Sequence, residues 1–301
     1  MDIFLQQIIN GLVVGSIYAL IALGYTMVYG IMQLINFAHG EIVMIGAMVT
    51  ITCINLLIGA GINLPGPLLL LAGLLMAIPV SMLLGFAIER IAYRPLRRAP
   101  RLAPLITAIG VSIVLQQAAM LIWGRNYRPF PAILPTEVHD FFGAAITDLQ
   151  VAIVVLALLL MGGLFFLIER TKLGRAMRAT SQNPEVAGLM GVNINTIISM
   201  TFMIGSALGA MAGVMVAANY DQAHAYMGSL IGLKAFTAAV LGGIGNLAGA
   251  VVGGILLGLI ESMCAGYLSS SYKDVFAFVV LIGVLVFRPS GLLGERVADR
   301  A

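Results

Sequence analysis

The stretch LQVAIVVLALLLMGGLFFLI, residues 149–168, contains 20 consecutive residues without a charged side chain. A helix of about 20 apolar residues is long enough to cross the hydrocarbon core of a bilayer. Similar runs recur along the 301 residues, of which 60% are hydrophobic and 10% are charged. A soluble domain has too little interior to bury that share of apolar side chains. The sequence therefore predicts an all-α fold, a polytopic transmembrane helical bundle with about eight or nine membrane segments.

Nine apolar runs mark the expected segments. They cover residues 8–29, 42–58, 67–88, 104–123, 149–168, 196–218, 230–241, 247–265 and 275–287. The seventh run is short, and the sequence leaves open whether it crosses the membrane or re-enters on the same side. No hydrophilic region is long enough for a separate domain, so we expect residues 1–301 to form a single transmembrane domain.

The positions of Arg and Lys predict the orientation, because the cytoplasmic loops of membrane proteins retain these residues. The segments 89–103, 169–194 and 288–301 are predicted to be cytoplasmic. They carry twelve of the 16 basic residues: Arg90, Arg94, Arg97, Arg98, Arg101, Arg170, Lys172, Arg175, Arg178, Arg288, Arg296 and Arg300. The connections 124–148 and 219–229 are poor in basic residues and are predicted to lie outside. The C-terminus is then cytoplasmic and the N-terminus lies outside.

Two breaks in the apolar pattern are candidates for a transport pathway. The first is NFAHGE, residues 36–41, and the second is GGIG, residues 242–245. Polar groups and irregular backbone at membrane depth are tolerated where they face protein or line a cavity, and broken helices often mark a transport site. A plain turn between two spans is the alternative. The predicted pathway or gate residues are Asn36, Phe37, His39, Glu41, Gly242, Gly243 and Gly245.

Lys234 and Glu261 flank the second break. If the two apolar runs around the glycines form a hairpin, both side chains lie at similar depth in the membrane. Opposite charges at that depth are stabilised by pairing with each other. The sequence predicts an intramembrane ion pair between them, with a role in substrate binding as the alternative.

The basic segment 169–194 contains the signals of a short helix. Asn183 suits the N-cap, Pro184 the first helical position and Gly191 the C-terminal stop. Val186 and Leu189 are three residues apart and share one apolar face. Such a helix, outside the membrane, is typical of a segment that docks into a partner, and a position on the bilayer surface is the alternative. The predicted docking segment comprises Arg175, Arg178, Pro184, Glu185, Val186, Ala187, Gly188, Leu189 and Gly191.

The sequence lacks the usual motifs of nucleotide binding and hydrolysis. None of its lysines, Lys172, Lys234 and Lys273, follows a glycine, so no G-x-x-x-x-G-K phosphate loop exists. It also contains no H-E-x-x-H or G-x-S-x-G motif and only two isolated cysteines. We expect no enzymatic activity, no cofactor, no metal and no nucleic-acid partner for this chain.

Five stretches, in order along nearly the whole chain, carry a family resemblance. They are GSIYALIALGYTMVYG (15–30), INFAHGE (35–41), ERIAYRP (89–95), GRAMRA (174–179) and KAFTAAVLGGIG (234–245). In this combination the chain resembles the LivH-type permease subunits of bacterial branched-chain amino acid ABC importers. Single stretches would also fit relatives that transport urea or short amides.

The resemblance implies a multi-subunit importer in the bacterial inner membrane. This chain would pair with a second, homologous permease subunit. Two cytoplasmic ATPase subunits would bind ATP-Mg and drive transport, and a periplasmic binding protein would deliver leucine, isoleucine or valine. The helix near Pro184 would be the coupling helix that contacts the ATPase. The alternatives are a permease for urea or short amides, an ATP-independent secondary transporter, and a channel.

Overall fold

The computed structural model describes residues 2–62, 64–97, 99–100, 102–134, 136–288 and 290–294. Over this part of the chain the fold is almost entirely helical, which confirms the all-α prediction. The helices are α1 (Asp2–Met32), α2 (His39–Gly59), α3 (Gly66–Ala87), α4 (Leu102–Trp123), α5 (Asp148–Arg170), α6 (Lys172–Gln182), α7 (Pro184–Leu189), α8 (Ile194–Asn219), α9 (Met227–Gly242), α10 (Leu247–Tyr267) and α11 (Lys273–Phe287). A π-helical segment (Ile88–Tyr93) and a 3-10 turn (Arg94–Leu96) extend α3, and another 3-10 turn (Ser270–Tyr272) precedes α11.

Among the described helices, eight are long and apolar enough to cross a membrane: α1 to α5, α8, α10, and α11 together with the 3-10 turn that precedes it (Ser270–Phe287, 18 residues). The remaining apolar helix, α9, has 16 residues, about 24 Å at 1.5 Å per residue. That is shorter than the hydrocarbon core of about 30 Å, yet α9 links the two faces of the bundle described below. The prediction of eight or nine membrane segments is confirmed.

The helices α1 and α8 form the centre of the bundle. In each of these two helices, 72% of the residues in the most apolar 18-residue stretch are buried within the chain. The corresponding share is 11% in α4 and 6% in the span that contains α11. The central pair is surrounded by α2, α3, α9 and α10, which all pack on α1, on α8 or on both. The apolar outer sides of α4 and α11 are left for lipid or for a partner subunit.

Glycines bring α1 and α10 into backbone contact. A Cβ atom added to Gly258 would lie 2.4 Å from the Cα atom of Gly15, and one added to Gly254 would lie 2.5 Å from the Cα atom of Ala19. Contacts of that length leave no room for a side chain. Close approach of this kind increases the van der Waals contacts between the helices. Such contacts matter in a membrane, because the hydrophobic effect does not drive helix association there.

Short strands and loop contacts define two opposite faces. On the hairpin face (124–147 and 220–226), β1 (Arg128–Pro129) pairs with β4 (Gln222–Ala223), and β2 (Val138–Phe141) forms an antiparallel hairpin with β3 (Ala144–Thr147). On the basic face (33–38, 94–97, 171–193 and 243–246), Arg97 Nη1 donates to Asn195 Oδ1 at 2.6 Å. The backbone N–H of Leu292, beyond α11, donates to the carbonyl of Leu241 on the same face.

The described part of the segment 89–103, which was expected to be a cytoplasmic loop, is mostly helical. Its first residue, Glu89, is fully buried. It accepts hydrogen bonds from Arg94 at 3.2 Å and from Ser199 at 2.6 Å, and it also contacts Arg97. Charge-assisted hydrogen bonds of this kind stabilise a buried carboxylate, so the helix continues past it. The basic residues Arg98, Arg101, Arg296 and Arg300 lie outside the described residues.

The two faces allow a direct check of the predicted orientation. Ser181 on the basic face and Thr136 on the hairpin face are both exposed. In intact cells, an impermeant thiol reagent should label Thr136→Cys and leave Ser181→Cys unlabelled until the membrane is permeabilised. The unsubstituted chain, with Cys53 and Cys264, sets the background. Labelling of Ser181→Cys from outside with protection of Thr136→Cys would reverse the orientation.

Candidate translocation and coupling sites

The first break, residues 36–41, comprises the end of a turn after α1 and the first three residues of α2. Asn36 is 2% exposed, and its Oδ1 atom accepts hydrogen bonds from the Ala38 backbone at 3.1 Å and from the Tyr93 hydroxyl at 3.2 Å. The ring of Phe37 packs on Phe236 with a centroid distance of 5.7 Å. The turn therefore carries polar groups into the protein interior and not toward lipid.

His39 and Glu41, at the start of α2, are also buried. The imidazole of His39 lies edge-on to Tyr25 at 4.8 Å. Glu41 Oε1 accepts from Ser112 Oγ at 2.9 Å and from Gln116 Nε2 at 2.8 Å, which ties α2 to α4. Each of the three polar side chains in residues 36–41 nevertheless has one buried atom without a hydrogen-bond partner within the described residues: Asn36 Nδ2, His39 Nε2 and Glu41 Oε2.

The second break is a glycine turn that holds the chain beyond α11. Gly243 and Gly245 have φ angles of +107° and +97°, a region that glycine adopts at low cost. A Cβ atom on Gly243 would lie 2.5 Å from the backbone nitrogen of Gly294. Asn246 Nδ2 donates to the carbonyl of Leu293 at 2.7 Å. The glycines thus allow close docking of residues 290–294 on the basic face.

Gly245 also lines a small cavity at the basic face, which we call the inner cavity. Its volume is about 120 Å³, and its walls include Thr26 and Gly30 of α1 and Arg178 of α6. Of the predicted pathway residues, Gly245 is the member that reaches this cavity. None of Asn36, Phe37, His39 and Glu41 lines it or the other cavities described here. Their role in a pathway stays a prediction.

The predicted docking helix is present as α7. Asn183 Oδ1 accepts from the backbone N–H groups of Glu185 at 3.0 Å and Val186 at 3.1 Å, and Gly191 ends the segment with a φ angle of +86°. Leu189 is 87% exposed. Ala187 is buried, so the helix rests on the bundle through its other side.

Val186 and Leu189 form an exposed apolar patch on α7, and Met190, 80% exposed, extends this patch beyond the helix end. The preceding helix α6, which was not predicted from the sequence, presents Arg175 outward. Arg178 instead contacts the carbonyl oxygen of Ile168 at the end of α5. An apolar patch beside a basic side chain suits docking onto another protein.

Lys234 and Glu261 form an ion pair at 2.7 Å, as the hairpin geometry of α9 and α10 predicts. The structure adds two partners. Asp274 Oδ1 lies 2.5 Å from the same Lys234 ammonium, and the Tyr18 hydroxyl donates to Glu261 at 2.8 Å. Asp274 and Tyr18 could not be predicted as partners from the sequence, because they reach the pair from α11 and α1 and no spacing rule connects such distant positions.

Known proteins match this chain over nearly its full length. The chain is 48% identical to the high-affinity branched-chain amino acid transport system permease protein BraD of Pseudomonas aeruginosa, over 97% of this chain and 96% of that protein. It is 45% identical to the corresponding protein LivH of Escherichia coli over the same shares. An autoinducer 2 import system permease protein, LsrC of an Enterobacter species, is 32% identical over 70% of this chain and 63% of its own length.

The match to a protein family extends over residues 7–285, and the family is described as the permease component of branched-chain amino acid transport systems. This range includes the glycine contacts of α1 with α10, the capped helix α7 and the buried ion pair. The chain belongs to the branched-chain amino acid transport system permease family.

Proposed function

We propose that this protein is the permease subunit of an ATP-driven importer of branched-chain amino acids. The observation that carries the proposal is the relationship to BraD and LivH along 97% of the chain. Both relatives are named as permease proteins of high-affinity branched-chain amino acid transport systems. A permease for urea or short amides has no comparable support, and the autoinducer 2 permease is related over a smaller part of the chain.

The proposed complex needs ATPase subunits, because this sequence has no phosphate loop. The exposed apolar side of α7, with Leu189 at its end, is the proposed contact with an ATPase. ATP-Mg would be held by those ATPase subunits. A second permease subunit would cover part of the apolar outer helices, and a binding protein would deliver the substrate on the hairpin face.

The proposed orientation places the basic face in the cytoplasm and the N-terminus, on the hairpin face, in the periplasm. In support, Gln6 near the N-terminus donates to the carbonyl of Ala145 in β3 at 3.0 Å. The hairpin-face connections are poor in Lys and Arg. With the protein in this orientation, α7 would lie on the side of the membrane on which ATP is available.

The pathway proposed from the sequence receives partial support from the geometry. Gly245 lines the inner cavity at the basic face. The unpartnered buried atoms of Asn36, His39 and Glu41 each cost about 1–3 kcal/mol relative to a satisfied group, and exceptions of this kind call for an explanation. We propose that these residues belong to a gate that changes its contacts during transport.

Co-isolation tests the proposed complex against the rival transporter classes. Affinity-tagged permease, co-expressed with the ATPase and second permease subunits, should retain the ATPase when extracted in mild detergent. Untagged permease sets the background. A secondary transporter or a channel needs no ATPase. Leucine uptake by a permease that retains no ATPase would therefore contradict the proposal.

A further inference from the structure

A cavity of about 480 Å³ opens at the hairpin face between α1, α9 and α11; we call it the outer cavity. Sites for small ligands commonly have volumes of roughly 300–1,000 Å³. One part of its wall is apolar and is formed by Val14, Ile17, Val216, Met227, Leu230 and Ile231. The other part is charged and is formed by Lys234, Lys273 and Asp274. The cavity therefore offers two chemically different surfaces to one occupant.

Contacts within the protein hold the side chains behind the charged wall in place. The ammonium of Lys234 lies between Glu261 at 2.7 Å and Asp274 at 2.5 Å, and its side chain is only 5% exposed. The second oxygen of Glu261 is held by the Tyr18 hydroxyl at 2.8 Å. Lys234 and Glu261 are thus occupied by protein partners, and through Lys234 they position Asp274.

Two adjacent residues at the start of α11 remain available to a ligand. The Asp274 side chain is 38% exposed and has a second carboxylate oxygen beyond the one that meets Lys234. Lys273 forms no ion pair with any residue that the structure describes; its ammonium lies 5.6 Å from the centre of the Tyr220 ring. One carboxylate and one ammonium, on neighbouring residues, thus line the same cavity.

The geometry points to a binding site for a zwitterionic α-amino acid in the outer cavity. The Asp274 carboxylate accepts from the ligand's α-ammonium, and the Lys273 ammonium donates to its carboxylate. A branched apolar side chain packs against Ile17 and Ile231. The two formal charges that the wall offers cancel, which matches a ligand with one charge of each sign. This inference rests on the proposed function and adds a site at which the permease itself receives the substrate.

The test uses the assembled complex of permeases and ATPase in lipid nanodiscs, without binding protein. Radiolabelled L-leucine should bind saturably to the unmodified complex. Asp274→Asn and Lys273→Gln should each weaken binding by about tenfold or more, because each removes a charge-assisted hydrogen bond. The matched control is Asp221→Asn. Asp221 is an exposed acid on the same face, outside the cavity wall, with a φ angle of +55° that asparagine also accepts.

Competition with two leucine fragments separates recognition from structural damage. 4-Methylpentanoate lacks the ammonium, and isopentylamine lacks the carboxylate. In the unmodified complex, leucine should compete far better than either fragment. Asp274→Asn should reduce the advantage of leucine over 4-methylpentanoate, and Lys273→Gln its advantage over isopentylamine. A misfolded variant would lose binding of all three ligands without this selective pattern.

The possible results discriminate between the site and the proposed function. Selective losses in the two cavity variants, with normal binding in Asp221→Asn, support the site. If the unmodified complex imports leucine with its binding protein while the cavity variants bind and import as well as it does, the site is refuted and the function stands. If the complete unmodified complex imports no branched-chain amino acid, the proposed function fails.

Discussion

Gly258→Val should prevent the chain from folding into a stable bundle. A Cβ atom at position 258 would lie 2.3 Å from the backbone nitrogen of Gly15 and 2.6 Å from the carbonyl oxygen of Gly11. These are backbone atoms in the centre of α1, so they cannot move aside as a flexible side chain could. Overpacking a well-packed interior costs about 1–3 kcal/mol and occasionally more, and we expect this contact at the upper end because two helices would have to separate.

The measurement is the amount of monodisperse permease recovered from membranes in detergent, followed by its thermal unfolding. Gly162→Val is the matched control, since Gly162 also lies within a membrane-spanning helix but has open space around its Cβ position. The control should be recovered at the level of the unmodified chain, and Gly258→Val at a small fraction of it. Equal recovery and equal thermal stability of the two variants would show that the contact between α1 and α10 is not needed.

Much of the bundle is predictable because its signals are local. The run 149–168 lies within α5, Asp148–Arg170, since apolar character alone determines which residues enter the bilayer. The ends are less predictable. Helix α1 was expected over residues 8–29 and spans Asp2–Met32. Its first turns carry polar side chains whose partners are distant, such as Gln7, which accepts from Ser262 at 2.7 Å.

The docking helix is predictable for the same reason. Asn183, Pro184 and Gly191 act within one or two turns of their own positions, so their residue types indicate the helix and its ends. The helix α6 has no comparable C-terminal signal and was not predicted from the sequence. Its N-cap is Thr171, which accepts from the backbone N–H of Gly174 at 3.1 Å, a weaker signal beside the end of α5.

Contacts between distant helices are the part that the sequence does not reveal. Glycines recur at every fourth position at 205, 209 and 213 and again at 245, 249 and 253, a spacing that favours close helix packing. At Gly213 the approach is close, since a Cβ atom would lie 2.0 Å from the Val43 carbonyl oxygen. The same spacing includes Gly245, which lies in a turn with nothing near its Cβ position. The contact of Gly258 with α1 depends on which helix packs against α10. The spacing of small residues along α10 does not specify that neighbour.

The candidate site shows the same limit. Lys234 and Glu261 are joined by one short turn, so a hairpin argument brings them together. Asp274 belongs to the following helix and meets Lys234 only when α11 packs against α9. The outer cavity, and with it the role inferred for Lys273 and Asp274, exists only in the assembled bundle.

Leu189→Lys should abolish ATP-driven leucine uptake while leaving the permease folded. Leu189 is 87% exposed at the end of α7 and touches little within this chain. A lysine there stands four residues after Glu185, a spacing that supports a helix. The variant therefore keeps α7 but places an ammonium where we propose that an ATPase groove is apolar. Burial of an unpaired charge costs several kcal/mol, enough to disrupt a contact that depends on a few apolar anchors.

The decisive measurement is the initial rate of radiolabelled L-leucine uptake by proteoliposomes that contain both permeases, the ATPase and the binding protein. The unmodified complex and Leu189→Met should accumulate leucine only when ATP is supplied on the ATPase side. Leu189→Lys should fall to the rate seen without ATP, with its binding-protein-stimulated ATP hydrolysis lost as well. Leucine uptake by the unmodified complex that proceeds equally without ATP, or normal ATP-driven uptake by Leu189→Lys, would contradict an ATP-driven importer coupled through α7.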